Sequence, residues 1–163
     1  MSHDRGRSVF SRPNPLAHLG PLARNSWAAP TTAIGLVLVA LAWAGRGRLR
    51  RVAGTLEAHG GWLRPLFAGA VPILGRIEAV ALGHVIVGRS AAALDQCRDH
   101  ERVHVRQCER WGPLFLPAYA LAGVAAWWRG ADPYLGNRFE REARASEQRA
   151  AGPPRPDGFA GRP

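Results

Sequence analysis

The stretch Ala91–Arg110 reads AAALDQCRDHERVHVRQCER, and it decides the fold of the chain. It contains no glycine or proline, and Ser90 stands directly before it, where the N-cap of a helix is expected. The sequence therefore predicts one long helix. Because His100 and His104 are four residues apart, both imidazoles lie on one face of this helix and can share a metal ion.

Glu101 stands between the two histidines. It is too close to His100 along the chain to act as the usual third ligand, so its carboxylate is free to take a proton from a zinc-bound water. Random placement of the histidines and glutamates of this chain would produce the pattern His-Glu-x-x-His about 0.009 times. The motif therefore predicts a Zn²⁺ site with Glu101 as its catalytic base. Tyr119 and Tyr134 are both candidates for the oxyanion donor.

A hydrolytic zinc site needs a third protein ligand and leaves its fourth position to water. The best candidate is Glu140, on a second helix predicted over residues 137–149. Glu142 is the competing candidate on the same helix, and Glu147 is a more distant one. Alternatively, all three glutamates are solvated charges on an exposed helix, which is the usual state of such a run.

The run His100–Gln107 (HERVHVRQ) is followed by Phe139–Ala143 (FEREA). Together these segments resemble the motifs of gluzincin-type zinc metallopeptidases. Members of the CaaX-protease and heat-shock membrane-protease type carry His-Glu-x-x-His and then Glu-x-x-Ala-Asp, in which the first glutamate of the second motif is a zinc ligand. The resemblance therefore implies that Glu140 is the third ligand, beside His100 and His104.

Arg144 departs from this pattern, because these peptidases usually carry an aspartate at that place. The carboxylate that orients a zinc-binding histidine is therefore missing from its expected position. The resemblance covers residues 79–145, and the whole chain is similar to small bacterial membrane proteins with an embedded zincin signature. It implies an α+β fold, namely a minimal zincin-like domain with a short sheet, an active-site helix and a third-ligand helix.

The uncharged segment 25–45 is the membrane candidate. Its centre, Ala33–Ala44 (AIGLVLVALAWA), is apolar or small throughout, and the segment can cross about 30 Å of hydrocarbon. A buried core helix and a signal peptide cleaved after Ala44 are the alternatives. A single-pass anchor is favoured because four arginines follow at once, at positions 46, 48, 50 and 51. The positive-inside rule then places residues 52–163 in the cytoplasm, with membrane lipid as a partner.

The second uncharged stretch, Trp111–Trp128, is expected not to cross the membrane. Gly112, Pro113 and Pro117 interrupt it and leave residues 118–128 as a helix of about 16 Å. A crossing would also separate the zinc ligands before and after it by about 30 Å of hydrocarbon. We therefore expect this stretch to turn back and to return the third ligand to the histidines.

The remaining segments complete the expected organisation. Residues 52–59 and 79–87 are rich in aliphatic residues and are predicted to be two strands, joined by a turn-rich or short helical link. The zincin-like domain is expected to span residues 46–150. Residues 1–24 and 151–163 have little apolar content and are expected to be tails without a fold.

The formal net charge of +10 raises the alternative of nucleic-acid binding. The 22 basic residues are all arginines, scattered along the chain outside its two uncharged segments, and no groove-binding motif or aromatic stacking platform accompanies them. We therefore expect no nucleic-acid partner. Cys97 and Cys108 lie about 16 Å apart along the predicted helix, which is too far for a disulfide.

These features together predict a membrane-anchored zinc metallopeptidase that acts on a peptide or protein substrate. Peptide-bond hydrolysis would use a zinc-activated water, with Glu101 as the general base. The alternative is a non-catalytic zinc-binding or membrane-associated interaction protein with a degenerate zincin site. The departure at Arg144 favours this alternative, whereas the intact Glu101 opposes it, because a structural zinc site has no use for a base.

Overall fold

The computed structural model describes residues 20–70 and 77–151 of the chain. Residues 1–19 and 152–163, which form most of the two expected tails, lie outside the described residues. The first helix, α1, spans Pro21–Ala44 and so begins four residues before the segment predicted as an anchor. Proline suits the first position of a helix because its missing N–H needs no partner there.

Four strands form one sheet in the order β1-β2-β4-β3. The strands are β1 (Arg48–Val52), β2 (Thr55–His59), β3 (Ala79–Leu82) and β4 (Val85–Gly88). β1 pairs antiparallel with β2, β2 pairs parallel with β4, and β3 pairs antiparallel with β4. The mixed α+β class expected from the sequence is therefore confirmed, and β1 and β3 are the outer strands of the described sheet.

The predicted strand 79–87 is in fact a hairpin, and the predicted strand 52–59 contains only the turn and second strand of another hairpin, whose first strand begins at Arg48. The two-residue turns of these hairpins lie at Ala53–Gly54 and at Gly83–His84. The φ angles of Gly54 and Gly83 are 88° and 62°, in the left-handed region that glycine adopts without strain. The turn at Gly83–His84 was missed because the aliphatic pattern continues on both sides of it, and β1 was missed because three of its five residues are arginines. Neither turn carries the common Asn-Gly or Asp-Gly signal.

A short helical link follows β2, as the sequence predicts. It consists of the one-turn helix α2 (Leu63–Pro65) and a wider helical turn over Leu66–Ala70. Leu63 and Phe67 of this link are buried against the sheet. The link therefore closes one end of the core beneath α1.

Two helices cover opposite faces of the sheet, α1 on one side and α3 (Ala91–Trp111) on the other. Side chains of β4 alternate between them, as the period of two in a strand requires. Val85 and Val87 pack in a core with Val39 of α1. Ile86, between these valines, packs with Leu94 of α3. The helix predicted as a membrane anchor is thus also one layer of the fold.

The last two helices, α4 (Phe115–Trp128) and α5 (Arg138–Ala151), form a hairpin beside α3. A turn of 3-10 helix over Gly112–Leu114 joins α3 to α4. The chain therefore turns back after the second uncharged stretch. α4 begins three residues earlier than predicted, because Pro117 falls in its first turn, where a proline costs no hydrogen bond.

Among the described residues, α1 is the one helix that is long and apolar enough to cross a membrane, over Ser26–Ala44. The exposed side chains of α4 are also mostly apolar, with Trp127 and Trp128 the most prominent. α4 has 14 residues, which corresponds to about 21 Å of helix. Its length therefore agrees with the expectation that it does not span.

Candidate metal centre

The two histidines of the motif are placed by α3. The Ser90 hydroxyl accepts a hydrogen bond from the backbone N–H of Ala93 at 3.1 Å and so caps the helix as predicted. The uninterrupted helix then sets His100 and His104 on one face. Their Nε2 atoms lie 3.2 Å apart, close enough to ligate one ion.

Asn137 and Phe139 place the start of α5 next to these histidines. The Asn137 side chain accepts a hydrogen bond from the backbone N–H of Phe139 and donates one to the backbone carbonyl of Tyr119 in α4. The Phe139 ring is buried edge-on against Phe115. These contacts set the rotation of α5 and direct the next side chain, Glu140, to the histidines.

Glu140 completes a group of three ligands. Its Oε2 lies 3.2 Å from Nε2 of His100, and its Oε1 lies 3.1 Å from Nε2 of His104. Ligand atoms around a tetrahedral zinc are about 3.4 Å apart when the bonds are about 2.1 Å long. Both carboxylate contacts are close to this distance, and one ligand atom from each of the three residues lies within 4.8 Å of the others, so the group can hold a metal ion. Two imidazoles and one carboxylate are also a donor set that suits zinc.

The side-chain amide of Gln107 orients His104. Gln107 is buried, and its Nε2 donates to the backbone carbonyl of Phe139 and to Oε2 of Glu142. Its Oε1 is therefore left to accept a hydrogen bond, and it lies 2.8 Å from Nδ1 of His104. With a metal bound, this contact would hold the proton of His104 on Nδ1 and leave the Nε2 lone pair to the metal.

Glu101 lies buried beside the three ligands. Its Oε2 has no hydrogen-bond partner among the described residues. Burial raises the pKa of Glu101, whereas the nearby His104 and His100 act in the opposite direction. A buried carboxylate oxygen without a partner is rare, and it fits a group whose partner is a water held by a metal.

The three ligands are electrostatically coupled. Burial alone would raise the pKa of Glu140, but hydrogen bonds from His100 and His104 hold that pKa well below its usual range. Tyr119 also favours the ionised form of Glu140, because its hydroxyl donates a hydrogen bond to Oε1 of Glu140 at 2.7 Å. The bond to Glu140 in turn raises the pKa of His100. Glu140 is therefore ionised, as a ligand must be.

The structure distinguishes between the three glutamates that the sequence left as candidates for the third ligand. Glu140 is at the histidines, whereas Glu142 accepts hydrogen bonds from Gln107 and Arg110. Glu147, which follows Glu140 by about two turns of α5, has its Oε2 3.5 Å from Nδ1 of His100. Glu147 therefore stands near the free nitrogen of this ligand, where it can orient the ring.

Arg144 cannot replace the aspartate of the gluzincin motif, which orients a zinc-binding histidine. Its guanidinium donates to the backbone carbonyl of Leu135 and lies 3.8 Å from Oε2 of Glu140. Histidine orientation in this chain comes instead from Gln107 and from the neighbourhood of Glu147. The spacing of Gln107, three residues after His104 on the same helical face, is a signal that could have identified it.

Two polar clusters outside the centre were missed in the sequence. His84 lies in the β3–β4 turn, where its Nε2 is 3.1 Å from Oε1 of Glu109 and its backbone N–H donates to the Thr32 hydroxyl. On the other side of the sheet, the buried Glu57 accepts hydrogen bonds from Arg50 and Arg98. Both clusters join the sheet to helices, and neither contributes to the three-ligand group.

No protein-family model, no curated protein and no solved structure matches this chain. What the chain does is therefore inferred from the geometry of its centre.

Proposed function

We propose that this protein is a zinc-dependent peptidase. The observation that carries the proposal is the combination of three mutually adjacent ligand atoms, on His100, His104 and Glu140, with the unpartnered carboxylate oxygen of Glu101. A structural zinc site would use four protein ligands and no base, whereas a hydrolytic site uses three ligands and keeps a base beside the open position. The arrangement supports the second class.

Zinc, when bound by the three ligands, would supply a Lewis acid that polarises the scissile carbonyl and acidifies the attacking water. Glu101 takes the proton from that water at Oε2 and then passes it to the nitrogen of the leaving amine. Gln107 keeps the His104 ring in position throughout. Tyr119 donates its one hydroxyl proton to Oε1 of Glu140, and Tyr134 also hydrogen-bonds Glu140, so both tyrosines remain candidates for the donor to the developing oxyanion.

A peptide is the substrate class that the sheet supports. β3 is an outer strand of the described sheet and packs against α3, and the backbone of Ala81 in β3 interacts with the Glu101 carboxylate. An extended peptide can add to such an edge through main-chain hydrogen bonds. That arrangement would carry a peptide bond past Glu101 and the three ligands.

The proposal includes attachment to a membrane through α1. Residues 26–44 are apolar enough for lipid contact, and the arginines after α1 favour the cytoplasmic side for residues 52–163. The sequence alone favours a single crossing. Alkaline-phosphatase and cytoplasmic reporter fusions after Arg51 test the side, and phosphatase activity at this point would contradict the cytoplasmic placement.

Metal analysis and peptide cleavage on the same purified samples test the proposed chemistry. Wild type and Glu101→Gln should each hold about one zinc per chain, and His104→Ala should lose it. Only wild type should cleave a mixture of unstructured peptides. His59→Ala is the matched control, because His59 lies in β2 and outside the three-ligand group.

The results also distinguish the non-catalytic alternative. If wild type binds zinc but cleaves nothing, the centre is a binding or structural site. If His104→Ala and wild type hold the same amount of zinc, the ligand assignment is wrong. Equal cleavage by wild type and Glu101→Gln would refute the role of Glu101 as the base. The assignment of the three ligands would then still stand.

A further inference from the structure

The outward face of α1 is an unbroken apolar surface. Its inward face, which packs on the sheet and on α3, repeats every three or four residues, at Ala28, Thr31, Gly35, Val39 and Ala42. The large side chains outside this inward face are 40 to 73 % exposed, and they are Trp27, Ile34, Leu36, Val37 and Trp43. The sequence has no charged residue from position 25 to position 45. A surface of this size and composition is unfavourable in water.

The inward face of α1 is held by the domain from Ala28 to Ala42. In its first half, the Thr31 hydroxyl donates to the backbone carbonyl of Gly112, 81 residues away in the chain. In the middle, Gly35 lies so close to Val85 of β4 that an added Cβ would overlap it. Near its end, Ala42 is fully buried in the core with Ala58 of β2. α1 is therefore not a helix that projects away from the fold.

These contacts conflict with a crossing helix. If α1 crossed the bilayer and kept its packing, the sheet and α3 would lie at the depth of the hydrocarbon. The buried Glu57 network and exposed charges such as Asp99 and Arg106 would then enter the membrane. Charged side chains at that depth carry a high free-energy cost. A helix that lies along the surface keeps the same packing without this cost.

The groups at the end of α1 match an anionic lipid surface. Arg46 follows α1 directly, and Arg51 in β1 pairs with Leu56, whose side chain packs in the core on the α1 side of the sheet. Neither arginine has an ion-pair partner among the described residues. Trp62, which is 60 % exposed, lies against Gly45 at the same end. Tryptophan and arginine beside an apolar face are typical of helices at the headgroup level.

We propose that α1 lies in the plane of a bilayer that contains anionic lipid. Its outward face enters the boundary between headgroups and acyl chains, and Arg46 and Arg51 bind lipid phosphates. α3, which carries the metal centre, packs on the other face of the sheet. This arrangement replaces the single crossing expected from the sequence and agrees with a cytoplasmic domain. It does not depend on the zinc chemistry.

Cysteine labelling at the two ends of α1 tests the orientation. Ser26→Cys and Ala44→Cys are each placed in the full chain with Cys97→Ser and Cys108→Ala, and a membrane-impermeant maleimide is applied to right-side-out and inside-out membrane vesicles. An in-plane helix predicts that both positions react in the same vesicle type. Reaction of the two positions in opposite vesicle types would establish a crossing and overturn the proposal.

Binding of the purified full chain to lipid vesicles tests the partner. Wild type should bind vesicles with 30 % phosphatidylglycerol more tightly than pure phosphatidylcholine vesicles. Arg46→Ala and Arg51→Ala should each weaken this binding about fivefold, and Val37→Glu should weaken it further. The matched controls on α5 are Arg141→Ala and Gln148→Glu, which should bind as wild type does, and circular dichroism checks the fold of every variant.

A different result would assign the apolar face to another occupant. If wild type binds neither vesicle type and forms a dimer that Val37→Glu dissociates, the face is an interface between copies of the chain. If all variants bind vesicles equally, α1 is not the lipid-contacting element. Either outcome would overturn the proposal and would leave the zinc and peptide-cleavage tests unaffected.

Discussion

Oε1 of Gln107 lies 2.8 Å from Nδ1 of His104, and this contact favours the tautomer of His104 that can bind a metal ion through Nε2. The amide cannot turn around without losing its two donated bonds, to Phe139 and to Glu142. The aspartate absent at position 144 is thus replaced, for one histidine, by an amide on the ligand helix itself. The centre retains an oriented ligand although it departs from the gluzincin motif.

Gln107→Leu should lower the affinity for zinc about 10- to 100-fold, because removal of a group that orients a histidine ligand has an effect of this size. Competition between the protein and a coloured chelator measures the affinity. Gln96→Leu is the control, since Gln96 is exposed on the same helix. Equal zinc affinity in Gln107→Leu and wild type would show that His104 needs no such partner.

Glu101→Gln should reduce kcat/KM for peptide cleavage by about 100-fold or more and leave the zinc content unchanged. The amide has the shape of the carboxylate but cannot take a proton from water. Glu109→Gln, on the same helix and paired with His84, should keep its activity. Steady-state kinetics and metal analysis on the same samples separate loss of chemistry from loss of metal.

Substitution of two neighbouring glutamates on α5 distinguishes the third ligand. Glu140→Gln should lose most of the bound zinc, because the group would retain only two strong ligands. Glu142→Gln should keep zinc near one per chain, since Glu142 contacts Gln107 and Arg110 instead of the histidines. Zinc retention after dialysis is the measurement. The opposite ranking would exchange the roles of these two residues.

The buried carboxylate of Glu57 should make the free energy of unfolding depend on pH. Burial would raise its pKa, but hydrogen bonds from Arg98 and Arg50 lower it below the ordinary value of 4.5. The carboxylate therefore stabilises the fold above about pH 4.5, and this contribution is lost as the pH falls through the lowered pKa. Glu57→Gln should cost about 1 to 3 kcal/mol at pH 7.

The difference in unfolding free energy between wild type and Glu57→Gln should shrink at acid pH. Denaturant titrations at pH 7 and at pH 3 measure it. Gln96→Glu is a useful control, since it adds a carboxylate at an exposed position of α3. A difference that stays constant with pH would mean that Glu57 is not ionised in the fold.

Two glycines in the hairpin turns give a matched test of the packing of α1. Gly54 and Gly83 both have positive φ, but a Cβ at Gly54 meets open space, whereas a Cβ at Gly83 would overlap the Thr32 hydroxyl of α1. Gly54→Ala should cost about 1 kcal/mol from strain alone. Gly83→Ala should cost about 3 kcal/mol or more. Equal costs, measured by denaturant unfolding, would indicate that α1 is not docked at this turn.

The metal-binding helix could be predicted from the sequence because its features are local. A cap at Ser90, an unbroken run to Trp111 and the spacing of His100 and His104 all depend on residues within a few turns of each other. Helical geometry alone then places the two imidazoles together. The same argument predicted Glu101 as a base beside the candidate ligands.

Which residue of α5 reaches the two histidines of α3 could be learned only from the tertiary structure. Glu140, Glu142 and Glu147 all lie on one amphipathic helix, and only the burial of Phe139 and the Asn137 cap rotate Glu140 to the histidines. Periodicity shows which face of a helix is apolar but not which element covers it. Long-range packing makes that choice, because many pairings satisfy the same local pattern and differ only in how well the side chains fit.

The hairpins and α1 show the same division. Continuous aliphatic sequence over 79–87 predicted one strand where the positive φ at Gly83 makes two. An uncharged run of 21 residues, 25–45, has the length of a membrane span. The sequence determined that this run is an apolar helix, because composition and length suffice for that. The tertiary structure decided that one side of it covers the sheet, because small residues at every third or fourth position allow it to pack closely there.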